Sequence, residues 1–172
     1  MSSRPQPDEY AGFFSRYIDG VPDGDIVAIL ESQGNATQKL LASIGEEKGS
    51  YRYAPEKWSI RQVVGHITDA ERVFAYRLMA IARGEKQSLP GFEENDYVDN
   101  GNFDAHSLSE LVEGFATTRR ATLALVRSLD DEAWQRRGVA NNNPISARAI
   151  AWVTAGHERH HLNVLRERYG IS

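Results

Sequence analysis

Four stretches of this chain repeat apolar residues at helical spacing, and no stretch alternates with a sustained period of two. This pattern restricts the fold most. A 3.6-residue stripe buries one side of a helix and cannot serve a pleated strand. The sharpest stretch is "WSIRQVVGHITDAERVFAYRLMAIARG". It opens with a capping box, Ser59-x-x-Gln62, and Trp58 in front can staple onto Val63. Apolar residues follow at Ile60, Val63, Val64, Ile67, Phe74, Leu78 and Ile81, and Gly84 supplies a stop. A second box, Ser107-x-x-Glu110, starts a segment through Leu111, Phe115, Thr122 and Leu125 to about Ser128. An earlier helix is predicted from about Asp23 to Ile44, with Val27, Leu30, Thr37, Leu41 and Ile44 on one face and Gly34 mid-pattern. The last helix starts at Ser146, stapled by Ile145 and Ile150, and runs to about Arg168, ahead of Gly170. "GSYRYAP" reads as loop, and "NNNP" at 141–144 as a turn.

Four amphipathic helices in 172 residues predict one all-α domain, a four-helix bundle over 1–172 with an N-terminal arm at 1–22. One connection is too long for a simple bundle. Bundle helices are joined by about 2–8 residues, whereas this link runs from Gly84 to His106. A crossover that sets helices two and three parallel explains it. Long ordered loops also tend to cover sites, and this one carries Phe92, Glu93, Glu94, Asp96, Tyr97 and Phe103. Its ordinary reading is a packed crossover with solvated charges.

Composition closes several options. The net charge of −4 gives no electrostatic case for nucleic acid, and the short basic pairs Arg119-Arg120 and Arg136-Arg137 read as solvated faces. Cysteine is absent, so any metal must be held by His, Asp or Glu, and no cysteine nucleophile exists. No apolar run approaches the roughly 20 residues of a membrane span, and "MSSRPQPDEY" lacks the apolar core of a secretory signal. A cytoplasmic location is the default expectation.

The histidines carry the chemistry. His157, His160 and His161 fall within five residues near the end of the last helix. At about 100° per residue, His157 and His161 stand about 40° apart in the middle of the apolar stripe, while His160 sits at its edge. Burying an imidazole without a partner costs on the order of 2–7 kcal/mol. His66 shares the inward flank of helix two with Ile60, Val63, Ala70 and Val73. A lone histidine on such a face is ordinarily a satisfied core residue. Three converging from facing helices would instead form the open three-nitrogen site of catalytic zinc. Gly65 and Gly156 directly precede two of them and would ease close backbone approach. His106 reads as a loop residue beside the Ser107 cap. Asp69 could orient a ligand of the site, although an ion pair with Arg72 is its simpler role.

His157-Glu158-x-x-His161 also spells H-E-x-x-H, the helix motif of zinc metalloproteases. Such enzymes need a third ligand downstream. Only residues 162–172 follow, none is histidine, and Glu167 lies too near on the same helix. The match is a coincidence of spacing, which leaves Glu158 as a helix charge or a group supporting the site rather than a general base.

Trp-Ser ahead of "VVGHITDAERVFAYR", the "LPGF" loop and the closing "GHERHHLNVLRERYG" together resemble the DinB/YfiT-like family, over about Tyr10 to Tyr169. The resemblance implies an up-down-down-up four-helix bundle, often a homodimer. Trp134 and Tyr169 lie off the four predicted cores and are the only sequence hint of a partner surface; end packing explains them more simply. The resemblance also implies a divalent metal, zinc or nickel, on His66, His157 and His161. The implied activity is that of a thiol S-transferase or hydrolase, in which the centre activates a low-molecular-weight thiol or water against a small-molecule substrate. The other class it allows is a non-catalytic stress-response module that binds metal or a partner.

Overall fold

In the computed structural model, which describes residues 3–172, the four segments are α2 (Ile26–Ala42), α3 (Ile60–Ala82), α5 (Leu108–Arg127) and α7 (Ala147–Tyr169). Met1 and Ser2, the first residues of the expected N-terminal arm, lie outside the described residues. Short helices fill the connections: α1 (Ser15–Ile18), α4 (Glu94–Asn100) and α6 (Asp131–Gln135). Both capping boxes form in both directions, at Ser59/Gln62 and at Ser107/Glu110. Ser146 Oγ accepts the Ala149 N–H at 3.0 Å, and Gly170 ends α7 in the left-handed conformation at φ 67°. Asp25 caps α2, so that helix starts three residues later than its periodicity indicates. No helix among the described residues is long and apolar enough to cross a membrane.

Contacts between the helices fix their directions. The start of α3 meets the end of α7, where the Tyr169 hydroxyl donates to the Trp58 carbonyl at 2.7 Å. The start of α2 meets the end of α5 through Arg127 and Glu31. α3 and α5 share their starting ends, bridged by Ser59 and Asp104, and α2 and α7 run side by side through Gln33 and Ala155. The order is therefore up-down-down-up, with the parallel pair α3/α5 separated in sequence by the long crossover.

The core is split in two. One apolar cluster gathers Ile26, Leu30, Phe74, Leu78, Val126, Ile150 and Trp152. The other gathers Leu41, Ile60, Val64, Ile67, Val112, Phe115, Leu162 and Leu165. Between these levels every major helix contributes buried polar side chains: Gln33 and Thr37, His66 and Glu71, Arg119, His157 and Glu158.

Arg119 lies at the centre of this belt and is 3% exposed, which corrects the reading of Arg119-Arg120 as a solvated pair. Its guanidinium donates to Glu71 through two bonds of 2.8 Å, to Glu158 at 2.7 Å and to the Leu30 carbonyl at 2.9 Å. Glu158 also accepts from Gln33 and Thr37, each at 2.5 Å. Burial acts to lower the Arg119 pKa, but Glu158 and Glu71 outweigh it and hold the pKa above the ordinary value. Gly34 provides the room. A Cβ there would lie 2.8 Å from the Arg119 Cγ, so Gly34 marks a close approach. Arg119 joins the inward face of α5 with Val112, Phe115, Ala116, Leu123 and Val126, while Leu111 and Leu125 sit at that face's margin.

One further expectation changes. Residues 137–146 form a hairpin, β1 (Arg137–Ala140) paired antiparallel with β2 (Asn143–Ser146), where the sequence shows only a turn. Asn141 and Asn142, at φ 51° and 58°, make its two-residue turn. Each strand is four residues long, too short for an alternation to register. Trp134 and Tyr169 are both buried within the chain, the end packing that was their simpler reading. The crossover is packed with solvated charges, its ordinary reading: Phe103 packs onto α3 at Gly65 and α4 sits within it, while Glu93, Glu94 and Asp96 are exposed.

Candidate metal centre

His66 on α3 and His157 and His161 on α7 meet at the polar belt, on the side where these two antiparallel helices pack. The three Nε2 atoms are separated by 3.1, 3.2 and 3.2 Å. His66 and His157 are buried, and His161 is partly exposed at the rim. A neutral imidazole Nε2 either carries a proton or offers a lone pair. Among three mutually facing nitrogens, two must be in the same state. At least one contact therefore sets lone pair against lone pair or N–H against N–H. A cation among three lone pairs removes that conflict. A tetrahedral ion with imidazole nitrogens at about 2.0–2.1 Å separates them by about 3.3–3.4 Å, octahedral coordination at the same bond length by about 2.8–3.0 Å, and the observed edges lie between the two. The donor set fits a divalent ion without selecting one.

Electrostatics keep the three rings neutral. Burial, with His160 nearby, pushes the His66 pKa down to about 4 from the ordinary 6.5. Burial first, then the neighbouring rings, hold His157 and His161 well below the ordinary value. Neutral imidazole, the form a metal binds, is thus the state at pH 7.

Aromatic rings wall the cluster. Trp58 lies 4.7 Å from the His66 ring and 6.4 Å from that of His161. Tyr17 and Phe74 meet His157 edge-on at 5.5 and 5.4 Å. Tyr17 belongs to α1, which packs so closely on α7 that a Cβ at Gly156 would lie 2.2 Å from the Tyr17 carbonyl oxygen. Gly156 therefore does serve a close approach, but of α1 rather than of a ligand. From the crossover, Glu94 Oε2 comes to 3.8 Å from His66 Nε2.

Two cavities flank the histidines and share Asn95. One of about 200 Å³ opens on His161, beside Tyr53, Lys57, Trp58 and Tyr169. The other, about 290 Å³, opens on His157 and is lined by Tyr17, Phe74, Arg77, Phe92 and Glu94. Hollows of similar size elsewhere, between α2 and α7 and between α2 and α5, touch none of the three histidines.

His160 is exposed and meets Tyr17 and His161 only through ring edges. His106 is exposed in the loop before α5. Asp69 accepts from Arg72 at 2.8 Å, its simpler role. Glu158 is not a surface charge but part of the Arg119 cluster, back to back with His157. Sequence reasoning missed Tyr17 altogether and gave Trp58 only a staple's duty, and neither residue belongs to a helical stripe that could have signalled it.

The architecture and site define a class: up-down-down-up helical bundles with a three-histidine cluster between antiparallel helices, flanked by a double cavity. The sequence places the chain more narrowly, for residues 29–165 match the DinB superfamily, and the chain belongs to that family. A protein of Oceanobacillus iheyensis, provisionally named a metal-dependent hydrolase, is 26% identical over 136 residues, 77% of each chain. The structure of YfiT from Bacillus subtilis, described as a probable metal-dependent hydrolase with an unusual four-helix bundle topology, aligns with a TM-score of 0.74. That alignment covers 98% of this chain and 94% of YfiT at 17% identity. A mycothiol-dependent maleylpyruvate isomerase aligns at TM-score 0.67 and 10% identity, over 80% of this chain and 58% of that one.

Proposed function

We propose that this protein is a metal-dependent enzyme in which His66, His157 and His161 hold one divalent ion, zinc or nickel, and which activates a small nucleophile against a small-molecule substrate. The observation that carries the proposal is the Nε2 triangle with edges of 3.1–3.2 Å, built from rings that burial keeps neutral. Such an ion supplies Lewis acidity, making a water or a thiol nucleophilic at neutral pH.

The chain's own groups supply the rest. The three rings orient the centre from two rigid helices. Trp58, Tyr17 and Phe74 exclude bulk water from it, which strengthens electrostatic interactions inside. Glu94 at the mouth is placed to take up the proton that an incoming nucleophile releases. With no cysteine in the chain, a thiol would have to arrive as a separate small molecule.

The double cavity favours transfer from a thiol. A nucleophile-bearing cofactor and an electrophile can occupy separate lobes and meet at the histidines. The likeness to a mycothiol-dependent isomerase agrees with this arrangement. Hydrolysis is the second reading, favoured by the hydrolase names of the other two relatives, and needs only one lobe filled. We also propose that the protein works in the cytoplasm as a homodimer, as the family resemblance implies.

The test is elemental analysis of protein purified without chelator or metal-affinity tag, alongside His66→Ala and His157→Ala. About one equivalent of zinc or nickel per chain, lost in both variants, is expected. No metal, and no uptake of zinc, nickel, manganese or iron when offered, would refute the centre and leave a non-catalytic helical module. A panel of electrophiles with and without added thiols then separates transfer from hydrolysis.

A further inference from the structure

Two arginines of this bundle are buried, and their surroundings are opposite. Arg119 is enclosed by two carboxylates. Arg77, on α3 three turns beyond His66, is 7% exposed and has no carboxylate within ion-pairing distance among the described residues. Its only protein acceptor there is the Pro90 carbonyl, reached by Nη2 at 2.6 Å. Nε and Nη1 have no protein partner, although a guanidinium carries five N–H donors. Burial lowers the Arg77 pKa below the ordinary value, opposite in direction to Arg119. A buried cation without a counter-charge is costly, and a chain that retains one has a use for it.

The place of Arg77 indicates the use. It lines the same cavity as His157, with its guanidinium 5.7 Å over the Phe92 ring. Between Arg77 and the histidines the wall is aromatic, from Tyr17, Phe74 and Phe92. Other charged groups on this cavity are Arg16, Glu93 and Glu94. Arg16 is engaged with the Tyr17 hydroxyl at 3.0 Å, and Glu94 lies toward His66. The histidine end therefore carries both signs, Glu94 beside His66 and Arg16 near enough to act on His157 and His161. Arg77, by contrast, brings unfilled donors to the same cavity that His157 lines.

We propose that Arg77 is the anchor for an anionic oxygen group, a carboxylate or phosphate, on a ligand whose apolar or aromatic body lies along Phe92, Phe74 and Tyr17 and whose other end reaches the histidines. The direction of that other end rests on the metal-centre reading; the anchor itself does not. Nη2 gives one N–H to Pro90 and keeps the other, which with the N–H of Nε or Nη1 beside it forms a flat donor edge of the kind that carboxylates and phosphates bind in pairs. The cavity of about 290 Å³ accommodates a ligand of one ring and a short acid chain.

The test is calorimetric titration with 3-phenylpropionate, its phosphonate counterpart and neutral 3-phenylpropanamide. Wild type, Arg77→Met, Arg77→Lys and His157→Ala are compared, each zinc-loaded and chelator-treated. The anionic probes should bind wild type at least tenfold more tightly than the amide. Arg77→Met should lose that preference, with its zinc content and fold unchanged, and Arg77→Lys should keep part of it. The preference should survive chelation and His157→Ala. If the anions instead bind only zinc-loaded protein and lose affinity in His157→Ala but not in Arg77→Met, the carboxylate sits at the metal; the anchor is then wrong and the metal centre stands. An Arg77-dependent preference in protein that takes up neither zinc, nickel, manganese nor iron would support the anchor and sink the metal centre. No charge preference in wild type with any probe would overturn the anchor.

Discussion

Replacing Arg119 with methionine removes a cation shared by two buried carboxylates. The variant loses the two bonds to Glu71, the bond to Glu158 and the bond to the Leu30 carbonyl, all between 2.7 and 2.9 Å. Breaking one buried pair from one side costs about 3–5 kcal/mol, because the remaining charge stays desolvated. Here Glu71 and Glu158 are orphaned together, although Gln33 and Thr37 still donate to Glu158. The expected loss is therefore about 4–5 kcal/mol at pH 7, or about 10–15 °C in melting temperature for a chain of this size. Acidification should shrink the deficit. The orphaned carboxylates acquire folded-state pKa values above their unfolded value of about 4.3. The folded variant then binds more protons than its unfolded form, so its stability relative to wild type rises as pH falls from 7 toward 5. Urea unfolding of both proteins at several pH values measures this. A loss below about 1 kcal/mol at pH 7, or a deficit independent of pH, would refute the view that Arg119 neutralises the centre of the bundle.

Gly34→Ala should cost about 1–3 kcal/mol through the 2.8 Å approach to Arg119 Cγ, outweighing the alanine's better helix propensity. In an Arg119→Ala background the same change should stabilise by about 1 kcal/mol, and unchanged sign in a double-mutant cycle would exclude the steric account. Metal-free protein should lose stability as pH falls from about 6.5 toward 4. The sign follows from the His66 pKa, which drops from 6.5 to about 4 on folding, so the unfolded chain binds the extra proton throughout that window. His66 alone accounts for about 3 kcal/mol of this loss, and urea midpoints of chelator-treated wild type and His66→Phe measure it. A pH-independent difference between those two proteins would show that His66 does not titrate as its burial demands.

The four helices were legible because their signals are local. The boxes at Ser59 and Ser107 and the stop at Gly170 involve residues a few positions apart, and an apolar stripe needs only its own helix to be read. His157 and His161 were legible for the same reason, being one turn apart on one stripe. Adding His66 required only that α3 and α7 face each other. The hairpin at 137–146 was missed because four-residue strands carry no period, although its Asn141-Asn142 turn was in plain view.

The sequence alone determined the all-α class, the long crossover, the absence of any thiolate ligand, and three inward-facing histidines as the only candidates for a shared site. Tertiary structure alone decided what each charge became. Arg119 and Arg77 are indistinguishable in composition, yet one meets Glu71 and Glu158 across the bundle axis while the other meets a single carbonyl beside an open cavity. Tyr17, Trp58 and Glu94 reach the histidines from segments without periodicity. Helix formation depends on neighbours in sequence, whereas the fate of a buried charge depends on which side chain lies opposite it, and only packing brings the two together.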